Sequence, residues 1–174
     1  MRRHDVCLFA VPLLWLVACQ GAEVPASDPG LNNPPLVAPL TLTRLRTDSI
    51  AFALYSGVSA PENLVIRDAA AWSALWQSIH ATTDPTPALP EVDFGQEMIV
   101  AAALGTRNTG GYNVLLTQAT EDSEGVEIQV LETSPGANCL TTQALTQPID
   151  LGRVARRDGP VRFLATQHVQ RCGP

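Results

Sequence analysis

The chain has 174 residues, of which 45% are hydrophobic and 16% charged, with a formal net charge of −6. That apolar content supports a packed core and excludes a wholly disordered polymer, while the length leaves room for one ordinary domain with a leader and a tether. All 11 basic residues are arginine, and an acidic chain with scattered cations builds no clustered positive field, so nucleic acid is not an expected partner.

At the N-terminus, Arg2 and Arg3 precede an apolar run of 13 residues from Val6 to Ala18. A membrane-crossing helix needs roughly 20 residues, so this run predicts an export signal instead. Its end, Leu16-Val17-Ala18-Cys19, resembles the lipobox of bacterial lipoproteins. That resemblance implies removal of residues 1–18 and lipidation of Cys19, which becomes the first mature residue and a permanent anchor when several acyl chains insert. The expected location is the bacterial cell envelope. Gln20 stands where an aspartate would favour inner-membrane retention, which points to the outer membrane if the cell has two.

From Gln20 to about Leu42 the chain carries five prolines and two glycines without helical or alternating pattern, and reads as an extended spacer. The expected organisation is therefore a signal peptide over 1–18, a lipidated cysteine and flexible tether over 19–45, and a β-rich domain over 46–174. Within that domain, 49-SIAFALYSG-57 and 63-NLVIRD-68 read as the first strands. Next, 68-DAAAWSALWQSIHA-81 has Asp68 as an N-cap and Trp72, Leu75, Trp76 and Ile79 on one stripe, which predicts an amphipathic helix with both tryptophans in the core.

A proline-rich loop, 82–94, leads to 97-EMIVAAALG-105, an apolar run of strand length that predicts a central strand buried on both faces. The strands 112-YNVLLTQATE-121 and 125-GVEIQVLET-133 flank a polar turn ending in Gly125, as a hairpin should, and in the second Val126, Ile128 and Val130 alternate with polar neighbours. After the irregular loop 134–148, the last strands are 149-IDLGRVAR-156 and 161-VRFLATQHV-169, joined through Asp158-Gly159. The expected fold is α+β and β-rich: six to seven mostly antiparallel strands, sandwich- or barrel-like, with one amphipathic helix packed on the sheet.

Catalytic signatures are missing by type. The sequence has no Cys-x-x-Cys, His-Glu-x-x-His, Gly-x-Ser-x-Gly or phosphate-cradling glycine loop, so no enzyme activity, cofactor or metal is expected. His80 ends the helix, where a histidine is usually a partner of the helix dipole, and His168 lies near the C-terminus. A hydrolase built on either, with Asp93 as a partner, has no spacing in its favour. Glu121, Asp122 and Glu124 cluster in the hairpin turn, where charge keeps a loop solvated. Cysteine arithmetic is more informative: with Cys7 in the leader and Cys19 lipidated, Cys139 and Cys172 remain as one candidate disulfide in an oxidising compartment. A bridge there would contribute roughly 3 to 4 kcal/mol; two free buried thiols are the alternative.

The stretch 106-TRNTGGYNVLL-116 is the candidate site. Gly110-Gly111 is first a turn device, but Arg107, Asn108, Thr109 and Tyr112 make the loop longer and more polar than a tight hairpin needs. Arginine and tyrosine are also the residues that binding hot spots favour. A structural turn and a partner-binding loop over Arg107 to Tyr112 are compatible readings.

From about Ser56 to Phe163 the order of features, with 71-AWSALW-76, 93-DF-94, 98-MIVAAALG-105 and above all 105-GTRNTGGY-112, resembles the PrcB C-terminal domain family. That family takes its name from a lipoprotein subunit that stabilises a surface protease complex. The resemblance implies a protein-binding envelope module with a protein partner, a protease among the candidates, besides the membrane reached through Cys19. The loop 108-NTGGYNV-114 is also similar to the Asn-Pro-Thr-Thr-Gly-Tyr loop of chagasin-type protease inhibitors, though it lacks the proline and the tryptophan beyond the tyrosine. An inhibitor using the 107–112 loop is thus an alternative, and a purely structural lipoprotein a further one.

Overall fold

The computed structural model describes residues 36–45 and 55–173. The expected signal peptide, Cys19, the tether up to residue 35 and most of the strand expected over 49–57 lie outside the described residues. The elements are β1 (Ala38–Leu40), β2 (Thr43–Arg44), β3 (Glu62–Ile66), α1 (Ala69–Ile79), β4 (Glu97–Ala103), β5 (Asn113–Asp122), β6 (Gly125–Pro135), β7 (Ile149–Ala155) and β8 (Val161–Gln170). They form two four-stranded sheets, the first in the order β1-β5-β6-β8 and the second in the order β2-β7-β4-β3. The expected α+β, sandwich-like architecture is what the chain adopts, and the sheets do not close into a barrel.

Strand alternation explains the layering. In β4, Met98, Val100 and Ala102 face the first sheet and join Val114, Leu116, Val126, Ile128 and Val130 in one core. The intervening Ile99, Ala101 and Ala103 face the other way and join Trp72, Trp76, Ile79 and Leu151 beneath α1. A strand covered on both faces has no use for polar side chains, which is why 98–104 is uninterruptedly apolar.

The helix starts where Asp68 accepts a hydrogen bond from the Ala71 N–H at 2.8 Å, satisfying a donor that has no partner inside the helix. Trp72 and Trp76 are 1% and 3% exposed, so they are core residues as expected. Their indole N–H groups donate to the carbonyls of Pro90 (3.0 Å) and Pro87 (2.9 Å). Each tryptophan therefore buries a large apolar surface and also fixes the proline-rich loop with its one polar atom. His80, expected as a partner of the helix dipole, is instead 2% exposed and lies tilted against Trp76, with ring centres 4.4 Å apart. Burial holds its pKa below the ordinary histidine value, which favours the neutral ring over a cation facing the dipole.

Two further expectations are corrected, and the expected turn at Asp158-Gly159 proves to link different sheets. The spacer does not run to residue 45: β1 pairs antiparallel with β5 and β2 with β7, so the chain enters the first sheet at Ala38 and crosses to the second by Thr43. Leu42, at the crossing, packs into the core between the sheets, close against Gly152 of β7. These strands are too short, and Pro39 too prominent, for alternation to show. The Asp158-Gly159 turn does not close a hairpin, because β7 belongs to the second sheet and β8 to the first. It is a corner between sheets, held by Arg67 donating to the carbonyls of Arg157 and Gly159, both at 2.9 Å. As a result β8 runs parallel to β6 from Val126↔Val161 to Pro135↔Gln170.

The acidic hairpin turn is also more than solvation. Glu121 makes a two-pronged ion pair with Arg157, at 2.6 and 2.8 Å, and Asp122 binds Arg162 of β8 at 2.8 Å. The Glu121 carboxyl is held below its usual range chiefly by the hydrogen bond from Arg157. That of Asp122 is lowered chiefly by the hydrogen bond from the Glu124 backbone N–H. The turn thus ties the β5–β6 hairpin to the corner that launches β8.

β5 carries a bulge between Leu116 and Gln118. The extra residue reverses the alternation, so that Val114 and Leu116 before it and Ala119 after it all point into the core. Asp150 of β7 lies against this bulge. Its carboxylate accepts the Leu116 N–H at 2.7 Å and two bonds from Arg44 of β2, both at 2.8 Å. One buried carboxylate therefore connects the two sheets and holds the short β2 in place.

Candidate functional site

The loop that links β4 to β5 is held on two sides. Gly105 has φ +71°, and a Cβ on it would come within 2.6 Å of the Pro61 nitrogen, so only glycine lets the chain turn out of β4 against residues 60–61. Beyond it, the Thr106 N–H donates to the Ser59 carbonyl at 2.9 Å, and Arg107 and Thr146 exchange backbone bonds at 2.8 and 2.9 Å. The Gly110 N–H reaches the Thr142 carbonyl at 3.0 Å, and the Thr146 hydroxyl donates to the Thr109 carbonyl at 2.9 Å. Gln147 completes the brace, donating to the Thr106 hydroxyl at 3.1 Å and accepting from the Gly57 N–H at 3.0 Å.

The two adjacent glycines serve this packing. Gly110 is buried, and a Cβ there would collide with the Thr142 hydroxyl. Gly111 has φ +86°, and its Cβ would stand 3.0 Å from Pro135 Cβ. A side chain at either position would push the loop off the 135–142 segment.

With Gly110 buried and Gly111 set against Pro135, Arg107 and Tyr112 come together half-buried at the surface. The Arg107 guanidinium carbon lies 5.5 Å from the centre of the Tyr112 ring, within cation–π range. Tyr112 also packs against the core between the sheets, so the ring is fixed from below while its neighbour covers it. Both border a cavity of about 220 Å³, together with Leu104 at the end of β4. Its floor comes from Glu132, Thr133 and Ser134 of β6 and from Gln167 and Val169 of β8. The cavity opens where β6 and β8 run on past the core and the exposed distal half of β8 begins.

The six residues singled out from sequence therefore divide in function. Arg107 and Tyr112 come together at the cavity. Asn108 is exposed at the loop tip, Thr109 contributes its carbonyl to the brace, and Gly110 and Gly111 supply the fit. Sequence reasoning missed Glu132, Ser134, Gln167 and Val169, which reach the cavity only because β6 and β8 are parallel neighbours. It also did not place Asp150. The expected bond between Cys139 and Cys172 is present, with Cα atoms 4.9 Å apart, and it fixes the end of β8 to the loop that follows β6. His80 and His168 are not brought together: one caps α1 outside the second sheet, the other lies on β8 of the first. Asp93 uses its carboxylate within its own turn, accepting the Gly95 N–H at 2.9 Å. Among the described residues no three His, Cys, Asp or Glu side chains gather to hold a metal ion.

A second, shallower depression of about 430 Å³ lies between Ala69 and Trp72 of α1 and the segment from Leu89 to Phe94. The Trp72 N–H on that side is already committed to Pro90, which leaves this depression few groups with which to orient a ligand.

The fold and the site define a helix-covered, two-sheet sandwich with a rigid glycine-packed loop at the mouth of a small cavity. Residues 98–155 match the family model described as PrcB C-terminal, in agreement with the family resemblance carried by 105-GTRNTGGY-112. The matched segment runs from β4 through β7 and includes the whole loop. No curated protein and no solved structure matches the chain.

Proposed function

We propose that this domain is a protein-binding module of the bacterial cell envelope, anchored by lipid on Cys19, that docks on a partner protein through the Arg107–Tyr112 loop and the adjoining cavity. A surface or secreted protease complex is the leading candidate partner, through the PrcB C-terminal match; an outer-membrane location follows from Gln20 if the cell is diderm. The observation that carries the proposal is the Arg107–Tyr112 cation–π pair at the cavity rim. Both side chains are of the kind that dominates binding energy, and the loop that presents them is braced before any partner arrives, which lowers the ordering cost of association. The wedge-like inhibitor alternative draws less support, because the loop lies against residues 135–146 and does not stand clear of the domain.

The test is affinity capture from envelope extract with a bait spanning residues 36–174, so that β1 and β2 are retained, beside the same bait carrying Arg107→Ala and Tyr112→Ala. A partner held by the natural bait should be weakened at least about tenfold by the double substitution, the loss of one to two hot-spot side chains. Equal retention on two folded baits would show that the loop is only a turn.

A further inference from the structure

We infer that the free edge of β8 is a self-association surface, at which two copies of this chain pair antiparallel and join their first sheets into one. This inference is independent of the loop's role. Among the described residues β6 is the one strand that pairs with β8, in unbroken register over its whole length from Val161 to Gln170. Its other side therefore presents a row of backbone donors and acceptors, a template for a further strand.

Among the described residues the strands at the remaining sheet edges are short, and this one is long. β1 has three residues with Pro39 in the middle, β2 has two, and β3 has five, preceded by Pro61 and opening on Glu62. β8 has ten residues and contains no proline, glycine or bulge. Its one arginine, Arg162, is already bound to Asp122 and Glu124. From Phe163 to Gln170 there is no carboxylate, lysine or arginine, while Leu164 and Val169 are 54% and 58% exposed.

A second copy is the occupant that fits this edge. A two-fold axis normal to the sheet near its middle places outward side chains beside outward ones, so Leu164 and Thr166 of one copy meet the corresponding face of the other. Arg162, near one end of the strand, then falls opposite the far end and not opposite its own counterpart, so no like charges meet across the pair. The chain enters the first sheet at β1, the edge farthest from β8, so the entering segments of both copies lie at the outer margins of the joined sheet. The interface is self-complementary, as closed two-fold symmetry requires.

The test uses the full chain in its membrane, with a single cysteine placed in turn at Leu164, Ala165, Thr166, Gln167 and His168, oxidised with copper phenanthroline and read as dimer on non-reducing gels against the natural chain. A residue on the two-fold axis faces its own copy within disulfide reach, and each step away adds about 7 Å to the self-separation. Dimer yield should therefore peak at one position and fall steeply within two residues on either side. Adding Lys at two other outward, exposed positions of β8 to the best-crosslinking variant, Leu164→Lys with Thr166→Lys or their nearest outward neighbours, should lower the yield at least about tenfold by like-charge repulsion, with the chain still folded by circular dichroism. Uniform or background crosslinking at all five positions, or a crosslink that survives the lysines, would overturn the proposal and leave β8 as a lone edge or one reserved for a foreign strand.

Discussion

Asp150 is the residue whose removal has the most definite consequence. It is 5% exposed and accepts from both a guanidinium and a backbone N–H, so Asp150→Ala strands Arg44 and the Leu116 N–H together. Breaking a buried ion pair from one side costs about 3–5 kcal/mol, and equilibrium urea unfolding should show a loss of that order. Asp150→Asn keeps an acceptor for Leu116 and should cost less. His80 gives a pH signature at the same scale. Its pKa is lowered in the fold by burial, so below the ordinary histidine range the unfolded chain binds a proton that the folded chain resists. Stability is thus complete above about pH 6.5 and declines as the pH falls below it. The urea midpoint should drop between pH 7.5 and 5.5 in the natural protein, and His80→Leu should flatten that slope whatever it does to the midpoint itself. An unchanged slope would place the titration elsewhere. Arg107 and Tyr112 were legible in the sequence because their residue types announce a contact surface. Asp150 was not, because a single acidic residue in a strand says nothing about which face of which sheet will cover it.

Elements were legible where one local pattern sufficed. Asp68 and the tryptophan stripe predicted α1, the apolar run predicted β4 with two covered faces, and the alternation of Val126, Ile128 and Val130 predicted β6. What remained hidden is non-local. β1 and β2 are strands only because β5 and β7 offer them edges, the bulge in β5 breaks the alternation that would have revealed its inner face, and no turn residue tells whether Asp158-Gly159 closes a hairpin or changes sheets. The cavity floor was hidden for the same reason, since Glu132 and Gln167 are neighbours only through parallel pairing. The N-cap offers a check on the legible part. Asp68→Ala removes the bond to the Ala71 N–H and should cost about 1 kcal/mol, while Asp68→Ser should restore most of it. Because α1 covers the second sheet through Trp72 and Trp76, the loss should appear in tryptophan fluorescence and in far-ultraviolet circular dichroism at the same midpoint.

The Cys139–Cys172 bond acts on the molecule as a whole. The distal half of β8 is exposed on both faces and is carried by its pairing with β6, so little apolar burial holds it down. The disulfide, at a sequence separation of 33, fixes that end to the loop after β6, beside the bond from the Gly136 N–H to the Gln170 carbonyl at 2.9 Å. The same loop supplies Thr142 and Thr146 to the brace beneath Gly110 and Arg107. The covalent link therefore joins the C-terminus, the cavity floor and the candidate binding loop into one mechanical unit. Replacing both cysteines with serine should lower global stability by about 3–4 kcal/mol on the chain-entropy account. The local effect should be larger than the global one at particular amides: hydrogen exchange should accelerate most at residues 165–170 and around Gly110, and least in β4, which is covered on both faces. Partner capture should weaken in step with the exchange at Gly110, because a loop that must be ordered on binding forfeits affinity. If exchange rose at β8 alone while Gly110 and partner capture stayed unchanged, the loop's brace would be self-sufficient and the disulfide would serve only the C-terminal strand.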